Sequence, residues 1–158
     1  MILRMPGTNL TREEAQTRAG LLSVDSYLVE LDLTTGPTAF ATTTTVSFGC
    51  TEPGAESFAD LVDATIHEVT LNGTRLDPAE VYADHRLRLT DLQERNELVV
   101  RADCPYSRTG EGLHRFVDPV DDRVYTYTQF EVPDARRVYA TFEQPDLKAV
   151  FDFHVTAP

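Results

Sequence analysis

Polar and apolar residues alternate with a period of two along most of this chain. In Tyr27-Leu28-Val29-Glu30-Leu31-Asp32-Leu33 every odd position is apolar, and the even positions turn acidic at Glu30 and Asp32. Successive side chains of an extended chain point to opposite faces, so this spacing predicts a half-buried strand. The run Ala41-Thr42-Thr43-Thr44-Thr45-Val46-Ser47-Phe48 is rich in β-branched residues and sets Val46 and Phe48 on one face. Further strands are predicted over 57–62, 65–71, 74–76, 85–89, 96–102, 124–130, 138–142 and 150–155. Asn72-Gly73, where both residues tolerate positive φ, predicts a tight hairpin between 65–71 and 74–76.

One helix signal precedes the strands. Thr11-x-x-Glu14 has the form of a capping box, and Gly20 offers a left-handed stop after Arg18-Ala19. The helix between them is short and mostly polar, which predicts an arm lying on a surface. Roughly nine or ten short strands separated by Gly, Pro and Asp turns then predict an all-β fold, an antiparallel β-sandwich or saddle with a short N-terminal helical arm. The stretch 105–122 is the exception: it reads as a long irregular loop, ordered by Leu113, Phe116 and Val117.

At 158 residues the chain is most simply one domain, 1–158. Its 26 acidic and 14 basic residues give a net charge of −12. Nucleic-acid binding needs clustered Lys and Arg, so that class of partner is not expected. An acidic surface can steer cationic groups such as peptide ammonium, or serve solubility alone. Cys50 and Cys104 have no metal spacing and read as two reduced, buried thiols. The start Met1-Ile2-Leu3-Arg4-Met5-Pro6 is too short in apolar residues for a signal peptide, and Met5 would itself make a natural start. No apolar run of ~20 residues suggests a membrane span. A cytoplasmic location is the expectation.

Candidate chemistry is sparse. There is no His-Glu-x-x-His; His67-Glu68 begins such a motif, but Leu71 stands where the second histidine belongs. His67, His85, His114 and His154 are far apart and carry no ligand spacing, so no metal site and no catalytic residue is expected in this chain. Gln129 and Glu131 differ. On an extended segment both would project from one face, with Phe130 pointing inward as an anchor. Read from the residues alone, the pair is better explained as two solvent-facing polar strand positions.

The segment around that pair carries a more specific pattern. Tyr127-Thr128-Gln129-x-Glu131, then Asp134-Ala135-Arg136-Arg137, then Phe142-x-x-Pro145-x-Leu147-Lys148-Ala149-x-Phe151 resembles the segment closing the N-terminal domain of the zinc aminopeptidase N family of gluzincin metallopeptidases. Gly112-Leu113-His114-Arg115-Phe116 resembles the loop that precedes it in many members. Val132-Pro133 and Glu143-Gln144 depart from the usual Pro-Thr and Asp-Glu. The resemblance implies the N-terminal domain of an enzyme that removes N-terminal residues from peptides. It implies that Glu131 accepts the peptide α-ammonium beside a glutamate of a catalytic domain absent from this chain, and that Gln129 lines the pocket for the first side chain. It further implies that zinc belongs to the full-length enzyme, held outside this chain, which alone should be inactive. Asp134 and Arg136 would be structural, satisfying the turn backbone and each other. The competing readings are a stand-alone interaction or carbohydrate-binding β-sandwich, marked by an exposed aromatic platform, and an independent hydrolase built on His114.

Overall fold

A computed structural model describes residues 9–158. The expectations concerning Met1 to Thr8 lie outside the described residues. Helix α1 spans Arg12–Leu21 and runs directly into strand β1, Leu22–Asp32. The capping box forms: Glu14 N–H donates to Thr11 Oγ1 at 3.2 Å, and Thr11 N–H donates to Glu14 Oε2 at 2.8 Å. Gly20 is not a left-handed stop, because the helix continues through Leu21 and ends only when Leu22 turns extended.

The remaining strands are β2 (Ala39–Cys50), β3 (Ser57–Asp60), β4 (Thr65–Leu71), β5 (Thr74–Leu76), β6 (Tyr82–Ala83), β7 (Arg86–Leu89), β8 (Arg95–Pro105), β9 (Gly112–Val117), β10 (Val124–Gln129) and β11 (Val150–Thr156), with a one-turn helix α2 at Pro78–Val81. They form a six-stranded sheet in the order β11-β1-β2-β8-β4-β5, a three-stranded sheet β3-β7-β6, and the two-stranded hairpin β9–β10. All pairs are antiparallel except β1 with β11. The expected antiparallel β fold therefore holds, with one parallel pair at the sheet edge.

The period of two explains which face is buried. On β2, Phe40, Thr42, Thr44, Val46 and Phe48 are buried, and on β8 the same holds for Asn96, Leu98, Val100, Ala102 and Cys104. On β1 the buried positions switch from Leu22 and Val24 to Tyr27, Val29 and Leu31, because Asp25 bulges between the pairs Val24↔Phe48 and Ser26↔Ser47. This one core also takes in Leu61, Leu87, Leu89 and Leu92 from around the small sheet and Val138 to Phe142 from the later chain. Asn72 and Gly73 take φ of 52° and 78°, closing the β4–β5 hairpin as expected.

Two expected elements change. The stretch 105–122 is not simply a loop, since Gly112–Val117 is a strand. The stretch 138–142 is not a strand but a buried irregular run after a 3-10 turn at Ala135–Arg137. Its backbone is satisfied individually: Ala140 N–H donates to Thr44 Oγ1 at 3.3 Å, Phe142 N–H to the Tyr27 hydroxyl at 3.1 Å, and Thr141 bridges Asp60. Both cysteines are free and buried, and burial pushes the Cys104 thiol up to about 12. Phe40 faces Cys104 across β2 and β8, and Cys50 lies farther along β2 by roughly 33 Å at ~3.3 Å per residue, so no bridge can form.

Candidate functional site

The hairpin β9–β10 delivers the chain to the candidate residues. Gly112 pairs with Gln129, His114 with Tyr127 and Phe116 with Tyr125. Gly112 has φ +67°, and a Cβ there would stand 2.9 Å from the Arg137 Cβ. Only glycine allows β9 to pass this close to the residues that follow Glu131.

Strand β10 ends at Gln129, and Glu131 to Asp134 form a turn. Gln129 and Glu131 therefore do not share a strand face as the extended reading expected. The Gln129 side chain instead folds forward, and its Oε1 accepts the Glu131 N–H at 2.6 Å. Asp134 N–H donates to the Phe130 carbonyl at 3.2 Å, closing the base of the turn. Phe130 does point inward, its ring meeting Tyr139 edge-on at 5.7 Å. The Glu131 side chain is exposed, and no ion pair holds it among the described residues.

Behind the turn the polar groups are buried and connected. Arg136 Nε donates to the Pro133 carbonyl at 2.9 Å, and its Nη2 reaches Asn9 Oδ1 at 3.4 Å. The Arg136 N–H donates to Glu143 Oε2 at 2.8 Å, while its carbonyl accepts the Val62 N–H at 2.7 Å. Asp134 pairs with Arg137 at 2.9 Å rather than with Arg136, which corrects the expected mutual pairing. Glu143 N–H donates to Asp60 Oδ2 at 3.2 Å, and Asp60 is paired with Arg18 at 2.9 Å. Arg18 Nε donates to Gln144 Oε1 at 3.0 Å, and Gln144 Nε2 donates to the Ala15 carbonyl at 2.9 Å. A chain of polar contacts thus runs from α1 through the core to the turn bearing Glu131. Burial raises the Glu143 carboxyl above the usual carboxylate range; the Arg136 N–H opposes that, and the Asp60 charge adds to it.

The sequence pattern of the Peptidase M1 N-terminal domain matches residues 23–158. The chain belongs to this family. It is 64% identical over 157 residues to an aminopeptidase N of Streptomyces lividans, covering 98% of this chain and 18% of that relative. The chain thus spans under a fifth of the relative's length. Among solved structures, the fold is shared with Legionella pneumophila aminopeptidase A in complex with aspartic acid, at TM-score 0.72 and 14% identity over 86% of this chain and 16% of that one. A mutant M1 zinc metallopeptidase of Deinococcus radiodurans gives TM-score 0.69 and 20% identity, over 87% of this chain and 33% of that one.

The histidines of this M1 N-terminal domain each meet one carboxylate at most. His67 lies 2.9 Å from Asp103, His85 3.7 Å from Asp63 and His154 3.5 Å from Asp152. His114 instead packs between Tyr127 and Phe116 at 4.9 and 5.8 Å. Among the described residues no three His, Cys, Asp or Glu side chains are grouped to hold a metal ion, so the donors present do not fit a zinc site.

The M1 N-terminal domain also exposes an aromatic surface despite having no Trp. Phe116 and Tyr125 stack on the hairpin at 5.5 Å, and Phe151 and Phe153 on β11 stack at 6.0 Å, each ring about two-fifths exposed. Tyr139 touches Phe130, Phe151 and Phe153, so the β11 aromatics are continuous with the anchor beside Glu131.

Proposed function

We propose that this chain is the substrate-gripping N-terminal domain of a zinc-dependent aminopeptidase, in which Glu131 receives the α-ammonium of a peptide and Gln129 borders the first side chain. The observation that carries the reading is an exposed carboxylate with no ion pair among the described residues, set on a turn whose backbone is held from several sides. Some acids, such as Asp60, Glu14 and Glu56, are taken up by arginines. Other exposed acids among the described residues are unpaired too, so it is the anchored turn together with the family pattern that favours Glu131. Gln129 spends its oxygen on the Glu131 N–H and keeps its NH2 group for a ligand.

In this reading the metal and its donors belong to the rest of the polypeptide, and the N-terminal domain supplies binding and orientation alone. The exposed rings would be covered by that remainder. They also meet the mark set for a carbohydrate-binding module. Family membership favours the aminopeptidase reading.

Hydrolysis of alanine and leucine p-nitroanilides, by this chain alone and by the chain extended to its natural C-terminus, tests it. Activity only in the extended form is expected. Activity in this chain alone would mean a catalytic site of its own, and no activity in either form would favour the binding-module alternative.

A further inference from the structure

Glu131 can select an amino terminus only if its carboxylate is held at one place, yet among the described residues no hydrogen bond or ion pair holds the carboxylate itself. What fixes it is the backbone of residues 130–134. Beside the Arg137 N–H, which donates to the Asp134 carbonyl at 3.1 Å, three groups act on that backbone. Gln129 Oε1 takes the Glu131 N–H, the Phe130 carbonyl takes the Asp134 N–H, and the Arg136 guanidinium takes the Pro133 carbonyl. Of these, only Arg136 brings a long-range constraint, because its side chain is buried and its backbone carbonyl and N–H are both bound, by Val62 and by Glu143.

Glu143 has no comparable reason to be where it is. Its carboxyl is mostly buried beside the acidic Asp60, an unfavourable place for a carboxylate. A cost of that kind is retained where the group does something an apolar residue would not. Here its Oε2 accepts the N–H of Arg136, the second residue of the 3-10 turn, and its own N–H is tied to Asp60, itself paired with Arg18 of α1.

We propose that Arg136 and Glu143 are positioning residues for the substrate-binding carboxylate. Glu143 fixes the peptide of Arg136, and Arg136 fixes the Pro133 carbonyl and with it the direction in which Glu131 points. Neither touches the substrate. The proposal rests on the gripping role given to Glu131 above. It adds that affinity for a free amino terminus is set partly from inside the core of the N-terminal domain, through residues that read from sequence as ordinary turn and hinge positions.

The test is a double-mutant cycle in the full-length enzyme, reading kcat and KM separately on leucine p-nitroanilide. Arg136→Lys keeps the charge but cannot reproduce the Nε contact. It is expected to raise KM by about tenfold or more with a smaller change in kcat, since small misplacement of a binding group has large effects. Placed on Glu131→Gln, it should cost little further, because the group it positions has lost its charge. Losses that multiply instead, or no loss from Arg136→Lys, would overturn the positioning role while leaving the gripping role intact. An unchanged KM in Glu131→Gln alone would overturn the gripping role and this proposal with it. If Arg136→Lys does not fold, Glu143 answers the question. Glu143→Gln keeps an oxygen for the Arg136 N–H and should retain affinity, whereas Glu143→Ala should lose it. Equal losses in both would contradict the proposal.

Discussion

Gly112 is the residue at which local backbone and candidate site are most tightly joined. Its positive φ and the 2.9 Å approach to the Arg137 Cβ leave no room for a methyl group, and Arg137 is paired with Asp134 at the end of the Glu131 turn. Gly112→Ala should therefore destabilise by about 1–3 kcal/mol, read as a lower midpoint in urea, whereas Gly54→Ala, where φ is also positive but space is open, should cost less. Equal costs at both would mean that the contact with Arg137 gives way freely. Glu14 offers a second test. The Arg86 hydrogen bond, aided by the capping contacts, pulls its pKa from 4.5 to about 2. A pKa depressed in the folded state stabilises above the unfolded value and is lost as pH falls through the folded one. Glu14→Gln should thus cost about 1 kcal/mol at neutral pH, the full shift being cut down by solvent screening of a partly exposed carboxylate, and the gap to the parent should close between pH 4.5 and 2. A gap independent of pH would contradict the ion pair.

At the scale of elements, α1 has no apolar stripe to bury, yet it is fixed. The sequence expectation of a polar arm on the surface is right about its composition and silent about its anchor. Arg18 points inward at 2% exposure, pairs with Asp60 and lies over the Phe58 ring at 4.7 Å. Removing one partner of a buried pair leaves an uncompensated charge, so Arg18→Met should cost about 3–5 kcal/mol. Adding Asp60→Leu should recover much of that, measured by the same urea titration. A double variant as unstable as the single one would mean that packing, not charge, is lost. Strands β1, β2, β4 and β8 were legible because one face is buried and the period of two records it. Strand β9 was not: Leu113, Arg115 and Val117 alternate with His114 and Phe116, so apolar residues fall on both faces and no phase stands out. The run 138–142 misled for the opposite reason. All five residues are buried, which gave an apolar run that reads as a strand although no ladder forms. Helix α2 had a signal that went unread, Asp77 as cap followed by Pro78 at the first helical position.

At the scale of the molecule, the six-stranded sheet ends on β11, whose residues are all exposed, and the separate hairpin β9–β10 is exposed along β10. Such an aromatic surface on a lone chain calls for a partner. The isolated N-terminal domain should therefore associate as its concentration rises in sedimentation velocity, and Phe153→Ser should weaken that association; a monomer at all concentrations would mean the rings are adequately covered by one another. The candidate site was legible only in part. Glu131 and Gln129 came from a family pattern and Phe130 from its place between them, whereas the proposed dependence on Arg136 and Glu143 needs the three-dimensional path from 133 to 143. The measurement that bears most directly on the whole reading is kcat/KM of the full-length enzyme with Glu131→Gln, alongside its thermal midpoint. A loss of roughly a hundredfold or more, in line with removing one partner of a desolvated pair, with the midpoint unchanged, is the expected result. An unchanged kcat/KM in a folded variant would contradict the gripping role of this domain.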